Sequence, residues 1–301
     1  MAICNAKVLQ AMGRDFTVVG RGQSSCLKFA TEIGVIPISG GLEKQQYIDY
    51  SNSVAIVAVG IENLADIAIN LINFGCKRIL LEKPGAMSLI QIETLQNLAR
   101  EKRVEIAIGY NRRFHDSTLK AIEIIAKDGG AQTVHFEFTE FANEVSKLPS
   151  APEIKKIWLI ANSSHVIDLA LHMSGRPREL ASWSAGEMEW HPAASRFVGA
   201  GITEKGTLVS YSSNWSSIGR WGVEITTKQH RLLLKPLERL KVMNSSTFEF
   251  EELENESLHD INFKPGLYKQ VQHFLLGNTT LLCSLDEQAD NWNLYKKIAG
   301  Y

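Results

Sequence analysis

Lys83 is the residue of this 301-residue chain whose setting most favours chemistry. It stands in Leu80-Leu-Glu-Lys-Pro-Gly-Ala-Met-Ser88, where an apolar run, Arg78-Ile-Leu-Leu81, passes straight into Glu82-Lys83-Pro84. Open α/β sheets bind ligands beyond the carboxyl ends of their parallel strands. Proline fixes one backbone torsion and removes a donor, so the ammonium is aimed from a stiff turn. X-Pro bonds take the cis form far more readily than other peptides, and a cis Lys83–Pro84 bond is expected. The alternative is a lysine in water ahead of a loop. His165 is the second group of interest, in Ala161-Asn-Ser-Ser-His-Val-Ile-Asp-Leu169. Asn162, Ser163 or Ser164 is expected to cap a helix with Val166, Leu169, Ala170 and Met173 on its apolar face, ended by Gly175 and Pro177. The positive end of such a helix favours neutral imidazole, which can take a proton near pH 7. A satisfied core histidine is the alternative there.

Between them lies Ile106-Ala-Ile-Gly-Tyr-Asn-Arg-Arg-Phe114. A strand over 104–108 would deliver Tyr110, Asn111, Arg112 and Arg113 to the same sheet edge as Lys83. Two guanidinium groups beside an amide can hold phosphate or sugar oxygens, or else form a solvated turn. No metal site is expected. His165, Asp168 and His172 share a helical stripe, but the two histidines are about 10 Å apart along the axis. A zinc ion needs its nitrogens at about 2 Å. His172 therefore reads as structural or surface, and Asp168 as a carboxylate that anchors the helix.

Glu82-Lys83-Pro84, then Gly109 to Phe114, then Ser164-His-Val-Ile-Asp168 with Gly175-Arg-Pro177, in that order and spacing, resemble the Gfo/Idh/MocA oxidoreductases. The resemblance covers nearly the whole chain. It implies NAD(P)-dependent hydride transfer to or from a sugar, an inositol or a nucleotide-linked sugar. It implies an α/β plus α+β fold, with a Rossmann-type parallel sheet domain followed by a domain with an open, mainly antiparallel sheet. It makes Lys83 and His165 catalytic: in the oxidising direction His165 takes the hydroxyl proton and Lys83 steadies the developing alkoxide. It turns Gly20, Arg21, Ser24, Gly60, Glu82, Lys83, Pro84 and Arg113 toward the cofactor. It turns Tyr110, Asn111, Arg113, Asn162 and His165 toward the substrate.

The cofactor form is read from Gly20-Arg21-Gly22-Gln23-Ser24-Ser25. NAD-specific units place Asp or Glu at the end of the second strand, to bond the ribose 2′-hydroxyl. Gly20 and Arg21 stand there instead, and a guanidinium grips a 2′-phosphate on two points. NADP is expected over NAD, the alternative being a turn arginine in water and either cofactor form.

Departures from the family pattern are as informative. Ala161 stands where the pattern has Asp, three residues, His, two residues, Asp. Val59-Gly60 and Leu64 replace the Thr-Pro and histidine of many relatives. The chain opens on a helix-like segment, Ala2–Met12, where a strand and a G-x-G-x-x-G turn should come first. On the alignment, roughly a strand and a turn are absent. A fragment or misassigned start is the favoured explanation, ahead of a weak cofactor binder or a relative without redox chemistry. The rival function is a non-catalytic sugar or dinucleotide sensor or assembly partner. A dehydratase or hydrolase with a transient redox step is a third.

The elements that must position these groups fall into two regions, a dinucleotide-binding domain over 1–115 and a substrate and oligomerisation domain over 116–301. In the first, Val54–Val59 is continuous and apolar, as a strand covered on both faces should be. Strand and helix segments then alternate as in βαβ units: a helix over 65–74, the strand 78–81, a helix over 89–102 and the strand 104–108. Phe16–Val19 and Val35–Ile38 are further short strands. From Thr133 the pattern becomes apolar–polar alternation, the mark of a half-exposed antiparallel strand. Segments 181–185, 196–201, 207–214, 222–227 and 231–235 read likewise, with helices over 265–276 and 285–298. An aromatic-rich sheet face seldom stays in water, so a homodimer or tetramer through this sheet is expected.

Composition is that of an ordinary globular protein. Net charge is −1, from 32 basic and 33 acidic residues, which gives no support for nucleic-acid binding. Four scattered cysteines have no paired spacing and read as reduced thiols in the cytoplasm. No apolar run reaches the roughly 18 residues that would span a bilayer.

Overall fold

Two kinds of sheet follow from the two kinds of strand in the sequence. The structure, a computed structural model, describes every residue except Gln46, Asn255 and Glu256. Its residues divide into two compact units: Met1–Gly109 with His259–Ala289, and Tyr110–Leu258 with Asp290–Tyr301. The division differs from a single break after residue 115, because a late segment returns to the first unit.

The first unit opens with helix α1 (Ala2–Ala11), strand β1 (Val19–Gly20), helix α2 (Gln23–Ile33) and strand β2 (Ile38–Ser39). β1 and β2 pair in parallel as a sheet of their own. The strands expected over 16–19 and 35–38 are thus only two residues long. Phe16, Val18 and Val35 pack instead on Ala6, Phe29 and Ile33 of α1 and α2. Next come β3 (Val54–Val57), α3 (Leu64–Asn73), β4 (Arg78–Leu81), α4 (Leu89–Lys102) and β5 (Glu105–Ile108). β3, β4 and β5 are parallel, with Val57 level with Leu81 and Leu81 with Ile108. Ile79, Leu81 and Ile108 are fully buried, as strands covered on both faces require. Ser88 caps α4, accepting from the Gln91 amide at 3.3 Å, while the Gln91 side chain accepts from the Met87 amide at 2.8 Å.

The second unit contains α5 (Asp116–Lys127), β6 (Thr133–Glu137), α6 (Ala142–Lys147), α7 (Pro152–Lys156) and α8 (Ser164–Ser174). Strands β7 (Pro177–Ala185), β8 (Arg196–Thr203), β9 (Leu208–Asn214), β10 (Gly222–Thr226), β11 (His230–Leu234), β12 (Leu240–Asn244) and β13 (Glu251–Leu253) follow. They form one eight-stranded sheet in the order β13-β12-β11-β10-β6-β9-β8-β7. Only β6 and β9 pair in parallel; every other neighbour is antiparallel. Val134, Phe136 and Phe138 point inward at period two, and α8, buried along nearly its whole length, packs on β6 and β10.

The chain then returns through α9 (Leu258–Asn262), α10 (Leu267–Leu276), β14 (Cys283–Ser284) and α11 (Leu285–Ala299). α10 packs on α1, and β14 pairs antiparallel with β5, which ties this segment to the first unit. No helix among the described residues is long and apolar enough to cross a membrane.

Candidate active site

In the first unit, the turn after β4 is built as the sequence demands. The Lys83–Pro84 bond is cis, and the Gly85 amide donates to the Glu82 carbonyl at 3.0 Å. Gly85 has φ +89°, and a Cβ there would meet Ile108 Cδ1 at 3.0 Å, so glycine is needed for conformation and for space. Gln288 of α11 donates to the Pro84 carbonyl at 2.8 Å and fixes the turn from the other side. Lys83 is therefore half-buried on a rigid mount at the carboxyl end of β4. Burial pushes the Glu82 carboxyl above its ordinary range, opposed by the nearby Lys83 and Lys264.

The carboxyl ends of β1 and β3 are linked. Arg21 donates to Asn63 Oδ1 at 3.1 Å, and Asn63 Nδ2 donates to Glu62 at 2.9 Å. Glu62 folds over Gly60, where a Cβ would come within 2.4 Å of its carboxylate. Asn63 and Glu62 are partners that sequence reasoning missed. A Cβ at Gly20 would meet Cys26 Sγ at 2.4 Å, so this glycine serves the close approach of α2 to β1. Ser24 is exposed in the first turn of α2.

In the second unit, a cavity of about 290 Å³ opens beside α8. Its walls include Arg112, Glu140, Asn162, Arg220, Trp221 and Glu238. Arg112 lies over the Trp221 ring, 4.9 Å from its centroid, and its Nε has no hydrogen-bond partner. Burial pulls this guanidinium down to about 10, against the attraction of Glu238 and Glu140. Glu140 is nearly buried, and its carboxylate accepts from Asn162 Nδ2 at 3.1 and 3.2 Å and from Ser163 Oγ at 2.6 Å. Ser117 holds the opposite wall by donating to the Leu237 carbonyl at 2.7 Å, next to a cis Lys235–Pro236 bond.

The expected site residues of this unit separate into two groups. Asn162 lines the cavity. Tyr110, Asn111, Arg113 and His165 are buried, and none of the four is on its wall. Arg113 is held by Asp168, with 2% of its side chain exposed. Its neighbour Arg112 faces the cavity instead, the reverse of the expected assignment. The ring of His165 meets Tyr110 edge-on at 5.8 Å and Trp221 at 6.3 Å, so Trp221 stands between the histidine's surroundings and the cavity wall.

The expected helix cap is not present. Leu159–Ser163 forms a π-helical turn that runs directly into α8. Asn162 and Ser163 turn to Glu140, and the Ser164 hydroxyl donates back to the Ile160 carbonyl at 2.7 Å. His165 thus has a further helical turn ahead of it, and the helix-end field invoked from the sequence does not act on it as expected. π-turns inside helices recur at functional sites. Glu140 itself had a signal in the sequence. It continues the inward parity of Val134, Phe136 and Phe138, a carboxylate at a position where the pattern calls for an apolar side chain.

No protein-family model matches the chain. Over 116 residues it is 27% identical to the NADP(+)-dependent scyllo-inositol 2-dehydrogenase IolW of Bacillus subtilis (strain 168). That stretch covers 35% of this chain and 30% of the relative, so the match spans about a third of each protein. Solved structures match over the whole chain. UDP-N-acetylglucosamine 3-dehydrogenase GnnA from Acidithiobacillus ferrooxidans superposes with a TM-score of 0.76, covering 99% of this chain and 93% of its own, at 14% identity. Levoglucosan dehydrogenase in complex with NADH and levoglucosan gives 0.78, covering 100% and 95%, also at 14% identity. The chain shares the fold of these solved dehydrogenases. This is the fold class that the sequence motifs implied, a parallel sheet with helices followed by a large, mainly antiparallel sheet.

Proposed function

We propose that this protein is an NAD(P)-dependent oxidoreductase acting on a CH–OH group of a sugar or related polyol, with NADP preferred. The observation that carries the proposal is Lys83, on its cis-Pro84 turn at the carboxyl end of β4, within a fold shared with sugar dehydrogenases.

The residues present fit a nicotinamide dinucleotide. Lys83 follows β4 of the parallel sheet, Gly60 lies just beyond β3 of the same sheet, and Gly20-Arg21 close the parallel β1–β2 pair. Arg21, tied to Asn63, is the donor for a 2′-phosphate. Ser24, after β1, and Pro84, after β4, are counted with the cofactor side. The bound cofactor supplies the hydride acceptor at its nicotinamide ring. The chain's own part is electrostatic and acid–base. Lys83 stabilises negative charge that develops on the substrate oxygen only in the transition state, so it acts on rate. The imidazole of His165 takes the hydroxyl proton in the oxidising direction. Tyr110 meets the imidazole edge-on, Asn111 is a substrate-side residue, and Asp168 holds Arg113 in place.

A second copy of the chain is expected to cover the outer face of the eight-stranded sheet. Trp183 and Val198 are directly paired across β7 and β8 there, and both are exposed. Four free cysteines agree with work in the cytoplasm.

Ala161, where relatives' pattern has a carboxylate, favours a second reading, a protein that binds sugar or dinucleotide without turnover. Steady-state assay with NADP+ and a polyol panel separates the two. With a substrate in hand, Lys83→Ala should lower turnover at least about a hundredfold, with little change in cofactor affinity. Unchanged turnover would remove Lys83 from the mechanism.

A further inference from the structure

We propose that Glu137, which does not line the cavity of the second unit, is a positioning residue for it: the two oxygens of its carboxylate pin two separate stretches of the cavity wall to the end of β6. The proposal rests on the proposed function only for the claim that this cavity takes the substrate; the pinning stands on the geometry.

β9 and β10 flank β6, with Ser212 and Gly222 both level with Glu137, so the connection 215–221 must pass over the carboxyl end of β6. Both ends of that strap are tied down there. At its start the Asn214 amide donates to Thr139 Oγ1 at 3.2 Å, and Trp215 Nε1 donates to the Phe138 carbonyl at 3.1 Å. At its end the Arg220 amide donates to Glu137 Oε1 at 3.1 Å. The tip, 216–218, is exposed between them. Arg220 and Trp221, at the tied end, belong to the cavity wall.

The second oxygen holds a second stretch. Glu137 Oε2 accepts from Lys235 Nζ at 2.7 Å. Lys235 leads directly into Pro236, Leu237 and Glu238, which also line the cavity. One carboxylate therefore fixes the spacing of two wall segments that are not neighbours in sequence.

The strap is shaped around this carboxylate. A Cβ at Gly219 would strike Glu137 Oε1 and come within 2.7 Å of Thr139 Cβ, so only glycine lets the strap lie this close. The stem of Lys235 crosses Gly222, where a Cβ would lie 3.0 Å from its Cδ. Burial opposes ionisation of Glu137, yet Lys235, Thr139 and the Arg220 amide together hold its carboxyl below the ordinary range. The Lys235–Glu137 pair is 41% and 23% exposed, and ion pairs so open to water add little to global stability. Local placement of the walls is the main consequence left to it.

The test is limited trypsin digestion of the full-length protein, followed by mass spectrometry. The reporter is the peptide bond between Arg220 and Trp221. The internal control is the bond between Lys228 and Gln229, exposed in the turn between β10 and β11. Cleavage follows the population in which a segment has opened locally. Glu137→Ala should speed cleavage at the reporter bond by at least about fivefold relative to the control. Glu137→Gln keeps an acceptor for the Arg220 amide and should stay within about twofold of wild type. Gly219→Ala keeps the carboxylate but crowds it, and should behave like Glu137→Ala. A substitution that merely weakened the sheet would speed both bonds together and leave their ratio unchanged. Should Glu137→Ala not fold by circular dichroism, Gly219→Ala carries the test.

With a substrate in hand, Glu137→Ala and Gly219→Ala should raise KM at least about fivefold and leave kcat within about twofold, because wall contacts act on ground state and transition state alike. NADPH affinity should not change. An unchanged cleavage ratio in the folded alanine variants would overturn the pinning. A changed ratio with KM unaltered would overturn the link to substrate. If wild type turns over no polyol and binds no NADPH, the oxidoreductase reading falls, and the cleavage ratio still decides whether Glu137 holds the walls.

Discussion

Arg113 and Asp168 form a two-point ion pair, with Nε 2.8 Å from Oδ2 and Nη2 2.5 Å from Oδ1, and both side chains are almost completely buried. The pair joins the turn after β5 to the middle of α8. Removing one partner strands a charge in the interior, which costs about 3–5 kcal/mol. Asp168→Ala should therefore lower the urea stability of the protein by about that amount. A loss below about 1 kcal/mol would mean that water reaches the site and the pair is not a brace.

His172 provides a pH test of α8. Burial first, then the neighbouring positive charges of Arg113 and Lys205, pull its imidazole down from 6.5 to about 3. Between those values the unfolded chain binds a proton that the folded chain refuses. Its contribution to stability is complete above about pH 6.5 and is lost progressively as the pH falls toward 3. His172→Gln should make the stability of the protein fall less steeply across that window, as followed by urea melts at several pH values. Parallel slopes for the two proteins would show that His172 titrates normally.

Arg21 is predicted to set the cofactor form. Its guanidinium is exposed and held by Asn63 alone among the described hydrogen bonds, so replacement should leave the fold intact. Arg21→Ala should erase most of the preference for NADPH over NADH, and Arg21→Asp should reverse it by repelling a 2′-phosphate and accepting from a 2′-hydroxyl. Comparison of dissociation constants for both nucleotides reads this directly. An unchanged ratio would place the 2′-phosphate elsewhere.

Much of the architecture was legible because it follows from local rules. The strand 78–81 and the helix 89–102 end where expected, the strand being a short apolar run that is buried from Ile79 to Leu81. The cis peptide before Pro84 was legible for the same reason. The edges of the sheets were not. β13 is exposed at all three residues and carries no alternation to read. The return of residues 259–289 to the first unit depends on contacts between α10 and α1, which no local pattern encodes.

The candidate site was legible in its residue types and less so in their placement. Arg112 and Arg113 are adjacent, and a single turn of 3-10 helix decides which enters the cavity and which meets Asp168. The caps proposed at Asn162 and Ser163 were sound as local chemistry, in which a side-chain oxygen accepts from the helix, but here Asn162 Nδ2 and Ser163 Oγ donate instead to the carboxylate of Glu140, more than twenty residues away. Tertiary electrostatics outweighed a helix-end preference, as buried carboxylates generally require donors.

The central claim is that this chain binds a nicotinamide dinucleotide at the sheet edge that carries Lys83. A fluorescence titration of the purified protein with NADPH, and with NADH beside it, tests this most directly. The account predicts saturable binding of both, tighter for NADPH. Failure of a demonstrably folded protein to bind either nucleotide would contradict it.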